Sequence, residues 1–227
     1  LGYNPFNPAM IGYVVALISF PQQMTQWLAP HTGLHFSFSE TAAIQFLGKA
    51  PATLQLDSMT MATPLEALET QLSLSQTIGE ISTTPMFGIF GGAGWEWIGL
   101  SFLIGGCWLL FMGVIRWHIP VAMLLSLFLT ASFFHTIDSD AYSPPLFHLF
   151  SGGAMLGAFF IATDPVTAST TNKGRLVYGI GIGMLTYIIR TWGGYPDGIA
   201  FAVLLMNMGV PTIDYYTQPR VLGARDD

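Results

Sequence analysis

The chain has 227 residues, of which 52% are hydrophobic and 9% charged, and it carries a formal charge of −6. So apolar a composition points away from a soluble globular domain and towards an integral membrane protein. Seven Lys and Arg against a net negative charge offer no surface for neutralising phosphates, which excludes nucleic acid as a partner; the single cysteine, Cys107, excludes an internal disulfide and, alone, any four-cysteine metal site.

Crossing a hydrocarbon core takes about 20 mostly apolar residues in a helix, and six runs come near that length. The chain begins at Leu1 with no basic segment ahead of a short apolar core. It therefore does not read as a signal peptide, and the expectation is a fragment lacking N-terminal helices. The first run, Pro8 to Leu28, is entered through Asn4-Pro-Phe-Asn7-Pro-Ala and completes an entry segment, residues 1–28.

Residues 29–94 are too many for a plain connector and predict a loop domain with structure of its own. Ser39-Glu40-Thr41 is a helix start leading into Ala42 to Phe46. Thr63-Pro64 with Glu66 three residues after Thr63 supplies an N-cap, a proline at the first helical position and an acid at the third; Leu65, Leu68 and Leu72 then mark one face.

Residues 95–215 hold the other five runs: Trp97 to Ile115, Ile119 to His135, Pro145 to Thr163, Leu176 to Ile189 and Gly198 to Ile213. The last two are short. They extend if Arg190 and Arg175 reach towards lipid headgroups, or they are tilted or broken helices packed inside protein. Glycines one turn apart, Gly153 with Gly157 and Gly179 with Gly183, permit close helix contact. The Asn-Pro and Asp-Pro pairs, at Asn4 to Ala9 and Ala162 to Ser169, place polar residues and prolines at helix edges, as discontinuous helices do.

The fold class that follows is an all-α integral membrane protein, a multi-span helical bundle with an extracytoplasmic loop domain. Orientation comes from the basic residues. Arg116, Lys173, Arg175, Arg220 and Arg225 share one side if 29–94 is on the other, where Lys49 and Arg190 are outnumbered by acids. Loop 29–94 is thus expected to be extracytoplasmic, and the tail 216–227 cytoplasmic. Among ionisable residues in or beside spans, His135 and His148 read as interfacial histidines, while Glu96 and Asp164 are candidates for a role.

Four segments resemble a known family: "NPFNPAM" at Asn4 to Met10, "DSMTMAT" at Asp57 to Thr63, "GGAMLGAFFIATDPVTAS" at Gly152 to Ser169, and "GGYPDGIAFAVLLMN" at Gly193 to Asn207. In this order, over essentially the whole chain, they are similar to the D subunit of the Rnf-type ion-translocating electron transport complex, related to the B subunit of the sodium-pumping NADH:quinone oxidoreductase. The resemblance implies a redox subunit of a bacterial inner-membrane translocase, coupling electron flow between ferredoxin and NAD to sodium or proton movement. It implies FMN esterified through its phosphate to the threonine of a D-x-x-[ST]-x-A-T pattern, which here is Thr63, by a separate flavin transferase. Asp57, Thr60, Ala62 and Thr63 fit the pattern; Met61 stands where glycine is common. A second, non-covalent flavin, riboflavin, is implied in the membrane part, for which Asn4, Asn7, Asp164 and Thr167 are the candidate polar groups. Partners implied are the other complex subunits and the transferase, in a lipid bilayer.

The chief rival is a channel or solute transporter whose broken helices line a substrate path; another is a scaffold in which Thr63 is a helix cap and nothing more. A soluble hydrolase is disfavoured, since no G-x-S-x-G elbow, H-E-x-x-H pair or P-loop is present. No residue is assigned a catalytic or metal-binding role.

Overall fold

The computed structural model describes residues 4–25, 27–28, 37–47, 60–195 and 197–219. Asp57 to Met59 of the threonine motif, and Lys49, Arg220 and Arg225 of the charge argument, lie outside the described residues.

The first apolar run is shorter as a helix than its hydropathy suggested. Asn7 caps helix α1, Pro8–Ser19, its Oδ1 accepting from the amides of Ala9 (3.0 Å) and Met10 (3.2 Å). Phe20 then leaves helical geometry, at φ −134° and ψ 58°, and Pro21 opens a separate short helix, α2, Pro21–Thr25. Proline has no N–H for the i to i−4 ladder, so Pro8 to Leu28 is not one continuous span.

Strand β1, Trp27–Leu28, pairs antiparallel with β2, Thr60–Met61. Between them lies α3, Phe38–Leu47. Its cap is Ser37, two residues before the expected Ser39: the Glu40 carboxylate accepts from the Ser37 amide (2.8 Å) and hydroxyl (2.7 Å). Helix α4, Pro64–Ser73, and α5, Ile78–Ser82, follow.

Helices α6, Trp95–Phe111, α7, His118–Ile137, α10, Asn172–Trp192, and α11, Ile199–Thr217, form the bundle. Among the described residues, α7 and α11 are long and apolar enough to cross a membrane, and α1 and α6 are shorter apolar helices. The expected span from Pro145 to Thr163 is interrupted. Helix α8 covers Pro145–Phe150, Ser151 to Gly153 are non-helical with Gly152 at φ 63°, and α9, Ala154–Leu156, continues into a π turn at Gly157–Ile161. A positive φ is open to glycine at little cost, and Gly152 is the residue that lets the chain turn there.

The core gathers Met123, Leu127, Ala154, Ala158, Ile182, Tyr187 and Val203, all fully buried. The glycine spacing works as expected. Gly179 and Gly183 of α10 lie against the backbone of α7, and Ser126 Oγ donates across the seam to the Ile180 carbonyl (3.1 Å). Outward, the bundle shows Trp97, Ile104, Trp108, Leu125, Phe133 and Met208, an apolar exterior suited to lipid.

A Cβ on Gly183 would collide with Ser126 Oγ and the Met123 carbonyl, whereas one on Gly12 meets nothing within 4 Å. Gly183→Ala is expected to cost about 1–3 kcal/mol through overpacking, read as a lower Tm in detergent; Gly12→Ala should leave Tm unchanged.

Candidate functional site

Thr63 caps α4 as expected, at φ −66° and ψ 157°, and its Oγ1 accepts from the Glu66 amide at 3.3 Å. Pro64 occupies the first helical position. Leu65 and Leu68 are buried against Ile81 and Phe147, with Leu72 packed at the edge, so α4 rests on the half-helix α8. Burial, and after it the nearby Glu66, holds the Glu69 carboxyl above the usual carboxylate range.

Two neighbours frame the threonine. On one side the β1–β2 pairing sets Trp27 opposite Met61, two residues before Thr63. On the other, Gly92 lies so close to Pro64 that any Cβ would overlap the proline ring, and its amide donates to Ser151 Oγ (3.2 Å). The loop around Gly92 is held by Glu96, which is buried and accepts from the amides of Ile89 (3.1 Å) and Phe90 (3.3 Å). Glu96 is therefore a loop anchor.

Beneath this lies the break between α8 and α9. Arg190 is turned inward and buried: its guanidinium donates to the carbonyls of His148 (2.6 Å) and Ser151 (3.2 Å) and to Asp197 Oδ1 (2.9 Å). Asp197 Oδ2 in turn accepts from the Gly153 amide (2.7 Å). One ion pair thus satisfies the carbonyls that end α8 and an amide that begins α9, groups that have no helical partner. Leu65 closes over it, with its Cδ1 2.6 Å from where a Cβ of Gly152 would stand.

Arg190 consequently does not reach for headgroups, because the interrupted backbone offers it buried carbonyls. Arg175 is half-buried, and its Nε donates back to the Ser169 carbonyl (3.1 Å). Sequence reasoning missed the Arg190–Asp197 pair. The available signal was Ser151-Gly152-Gly153 inside an apolar run, with a lone arginine and an acid seven residues apart further on.

His148 is likewise no interfacial residue; it is buried, with Nε2 2.8 Å from Ser143 Oγ and its ring 5.0 Å from that of Tyr187. His135 is half-buried, its Nδ1 2.7 Å from the Tyr142 carbonyl, which the Nδ1–H tautomer satisfies.

The four candidate riboflavin residues do not come together through hydrogen bonds among the described residues. Asn4 is exposed, and Asn7 is used in capping α1. Asp164 and Thr167 sit together in the turn before α10: Asp164 Oδ1 accepts from Val166 N (3.2 Å) and Oδ2 from Thr167 Oγ1 (2.7 Å). The Thr167 carbonyl accepts from Asn207 Nδ2 (3.0 Å). Asp164 lines a cleft of about 350 Å³ with Ile115, Arg116, Ile119, Ala168 and Arg175; Asn7 and Thr167 do not line it.

The chemistry at Thr63 suits a phosphoester. Among the described residues its hydroxyl accepts one hydrogen bond and donates none, so replacing the hydroxyl hydrogen by phosphorus leaves the cap contact available. The amide end of a helix also favours a bound negative charge.

A sequence model described as the NQR2, RnfD, RnfE family matches residues 1–223. The chain is 55% identical over 235 residues to the D subunit of the ion-translocating oxidoreductase complex of Pectobacterium carotovorum subsp. carotovorum (strain PC1), covering 99% of this chain and 67% of that protein. The D subunits of the same complex from Aliivibrio salmonicida (strain LFI1238) and Pseudomonas paraeruginosa (strain DSM 24068 / PA7) are 54% identical over 98% and 99% of the chain, which covers 66% and 64% of them respectively. The chain thus spans about two thirds of the length of these curated relatives. With the match running through the threonine, the broken helix and the bundle alike, the chain belongs to the NQR2, RnfD, RnfE family.

Proposed function

We propose that this chain is a membrane subunit of an ion-translocating oxidoreductase complex, carrying electrons by way of FMN esterified to Thr63 and coupling ferredoxin/NAD electron transfer to sodium or proton transport. The observation that carries the reading is local: a half-buried threonine hydroxyl, which among the described residues donates no hydrogen bond, caps a helix seated on an interrupted helix of the bundle. Bound flavin supplies reversible electron acceptance; the chain supplies attachment and position.

Each neighbour has a part in that positioning. Pro64 and the Glu66 amide fix the direction of the Thr63 side chain, Gly92 brings the Glu96-anchored loop against Pro64, and Leu65 ties α4 to the break. The flavin transferase and the remaining complex subunits are its proposed partners. The proposed location is the bacterial inner membrane, with 29–94 extracytoplasmic, where Thr63 is open to modification, and the C-terminus cytoplasmic. For riboflavin, support reduces to Asp164 at the 350 Å³ cleft.

The transporter reading puts its substrate site at the Asn-Pro and Asp-Pro turns, where the Asn7 side chain is used in capping α1 and the Asp164 carboxylate accepts from Val166 N and Thr167 Oγ1. The test is to express the chain in membranes with and without a flavin transferase and to measure the mass of the peptide bearing Thr63. A gain equal to FMN less one water, dependent on the transferase, is expected. An unmodified peptide beside an active transferase overturns the proposal.

A further inference from the structure

Trp27 and Trp95 come from segments far apart in sequence, yet their rings meet edge to face, with centroids 5.5 Å apart and planes at 70°. Both are tied to the Thr63 corner by independent contacts. Trp27 is opposite Met61 in the strand pair that leads into Thr63. Trp95 follows the loop that presses on Pro64, and its Cδ1 lies 3.2 Å from where a Cβ of Gly92 would stand.

Trp27 is nonetheless 41% exposed, and Trp95 is half-buried. Among the described residues neither indole packs on any other aromatic ring. An edge-to-face pair leaves ring face uncovered, and indole is the most electron-rich of the aromatic side chains. A flat, electron-poor ring system held nearby by a tether is what such a surface takes up best.

We propose that Trp27 and Trp95 form the wall against which the isoalloxazine ring of a flavin carried by Thr63 docks. This inference rests on the Thr63 reading above and adds to it the residues that hold the ring. Thr63 fixes the phosphate end, and the two indoles fix the other, so the ring is confined instead of swinging on its ribityl chain. The competing explanation is that these tryptophans are interfacial anchors of the kind common at bilayer surfaces.

The two explanations differ in a spectroscopic property. An indole in contact with an excited flavin donates an electron to it and takes the electron back, and emission is lost; an indole anchored in headgroups does not do this. The experiment uses the full chain, expressed in membranes with its transferase, as wild type, Trp27→Phe, Trp95→Phe, the two combined, and Trp108→Phe. Trp108 lies on the exposed side of α6 and serves as the control. Flavin emission yield and lifetime are measured in the folded protein and normalised to the Thr63 adduct found by mass spectrometry. The measurements are then repeated after denaturation.

The wild type should emit weakly, each of Trp27→Phe and Trp95→Phe should raise the folded-state yield at equal adduct, the combined variant should raise it severalfold, and Trp108→Phe should not. Denaturation should remove the differences. Phenylalanine keeps an aromatic edge at each position, so the pair's packing survives. Adduct present with an emission yield that the combined Trp27→Phe and Trp95→Phe variant leaves unaltered overturns the ring-docking wall alone. Absence of the adduct from the wild type overturns the Thr63 reading and this inference with it.

Discussion

Thr63→Val will abolish covalent flavin completely, as read by in-gel fluorescence and by the mass of the Thr63 peptide, while Thr63→Ser will retain it. The two side chains differ in the hydroxyl that accepts phosphorus, and valine keeps the branched shape of threonine. Valine also removes the acceptor for the Glu66 amide, so α4 loses its cap at a cost of about 1 kcal/mol. That secondary loss would confuse the result if it stood alone. Thr63→Asp separates the two effects, because aspartate is a good cap with no hydroxyl: thermal stability should return to near the wild-type value and the flavin should not. Flavin that persists in Thr63→Val or Thr63→Asp would place the attachment elsewhere.

Arg190→Leu should be the most destabilising single change in the described bundle. The guanidinium is buried and serves three acceptors at once, the carbonyls of His148 and Ser151 and the Asp197 carboxylate. Removing one partner of a buried pair leaves the others without compensation, at a cost of about 3–5 kcal/mol. Asp197 is about a third exposed, so its stranded charge is partly screened and most of the loss comes from the two carbonyls. Arg190→Lys should recover little, since an ammonium does not reproduce the planar fork that reaches both carbonyls and the carboxylate. Thermal unfolding in detergent measures this. A Tm for Arg190→Leu equal to that of wild type would show that the break does not depend on the ion pair.

Arg190 also bears on Thr63. Leu65 lies over Gly152 at the break and belongs to the same helix that Thr63 caps. Loosening the break is therefore expected to lower flavin attachment as well as stability, although Arg190 does not itself touch the threonine.

Much of this protein is written locally. The Thr63-Pro64-Leu65-Glu66 cap, the Leu65–Leu68–Leu72 face and the small face made by Gly179 and Gly183 are set by residues three or four apart, so spacing alone reveals them, although the partners those faces meet lie far off in the chain. Family membership follows from motifs in order along the chain. What hydropathy could not show was continuity. Pro8 to Leu28 and Pro145 to Thr163 are apolar throughout, and apolar character does not report whether a backbone stays helical. Pro21 ends the first run by local chemistry that was visible. The second is broken at Gly152 because Arg190 and Asp197, about 40 residues further along, satisfy the exposed backbone groups. The same holds for Trp27 and Trp95 and for Glu96, whose surroundings depend on partners that strand pairing and loop closure bring in. The sequence by itself determined the apolar character of the chain, the Thr63 cap of α4 and the motifs that mark the family, since these are properties of short stretches. Tertiary structure decided which charge was turned inward and which helix was cut, because a buried polar group takes its role from whatever unpaired backbone it meets.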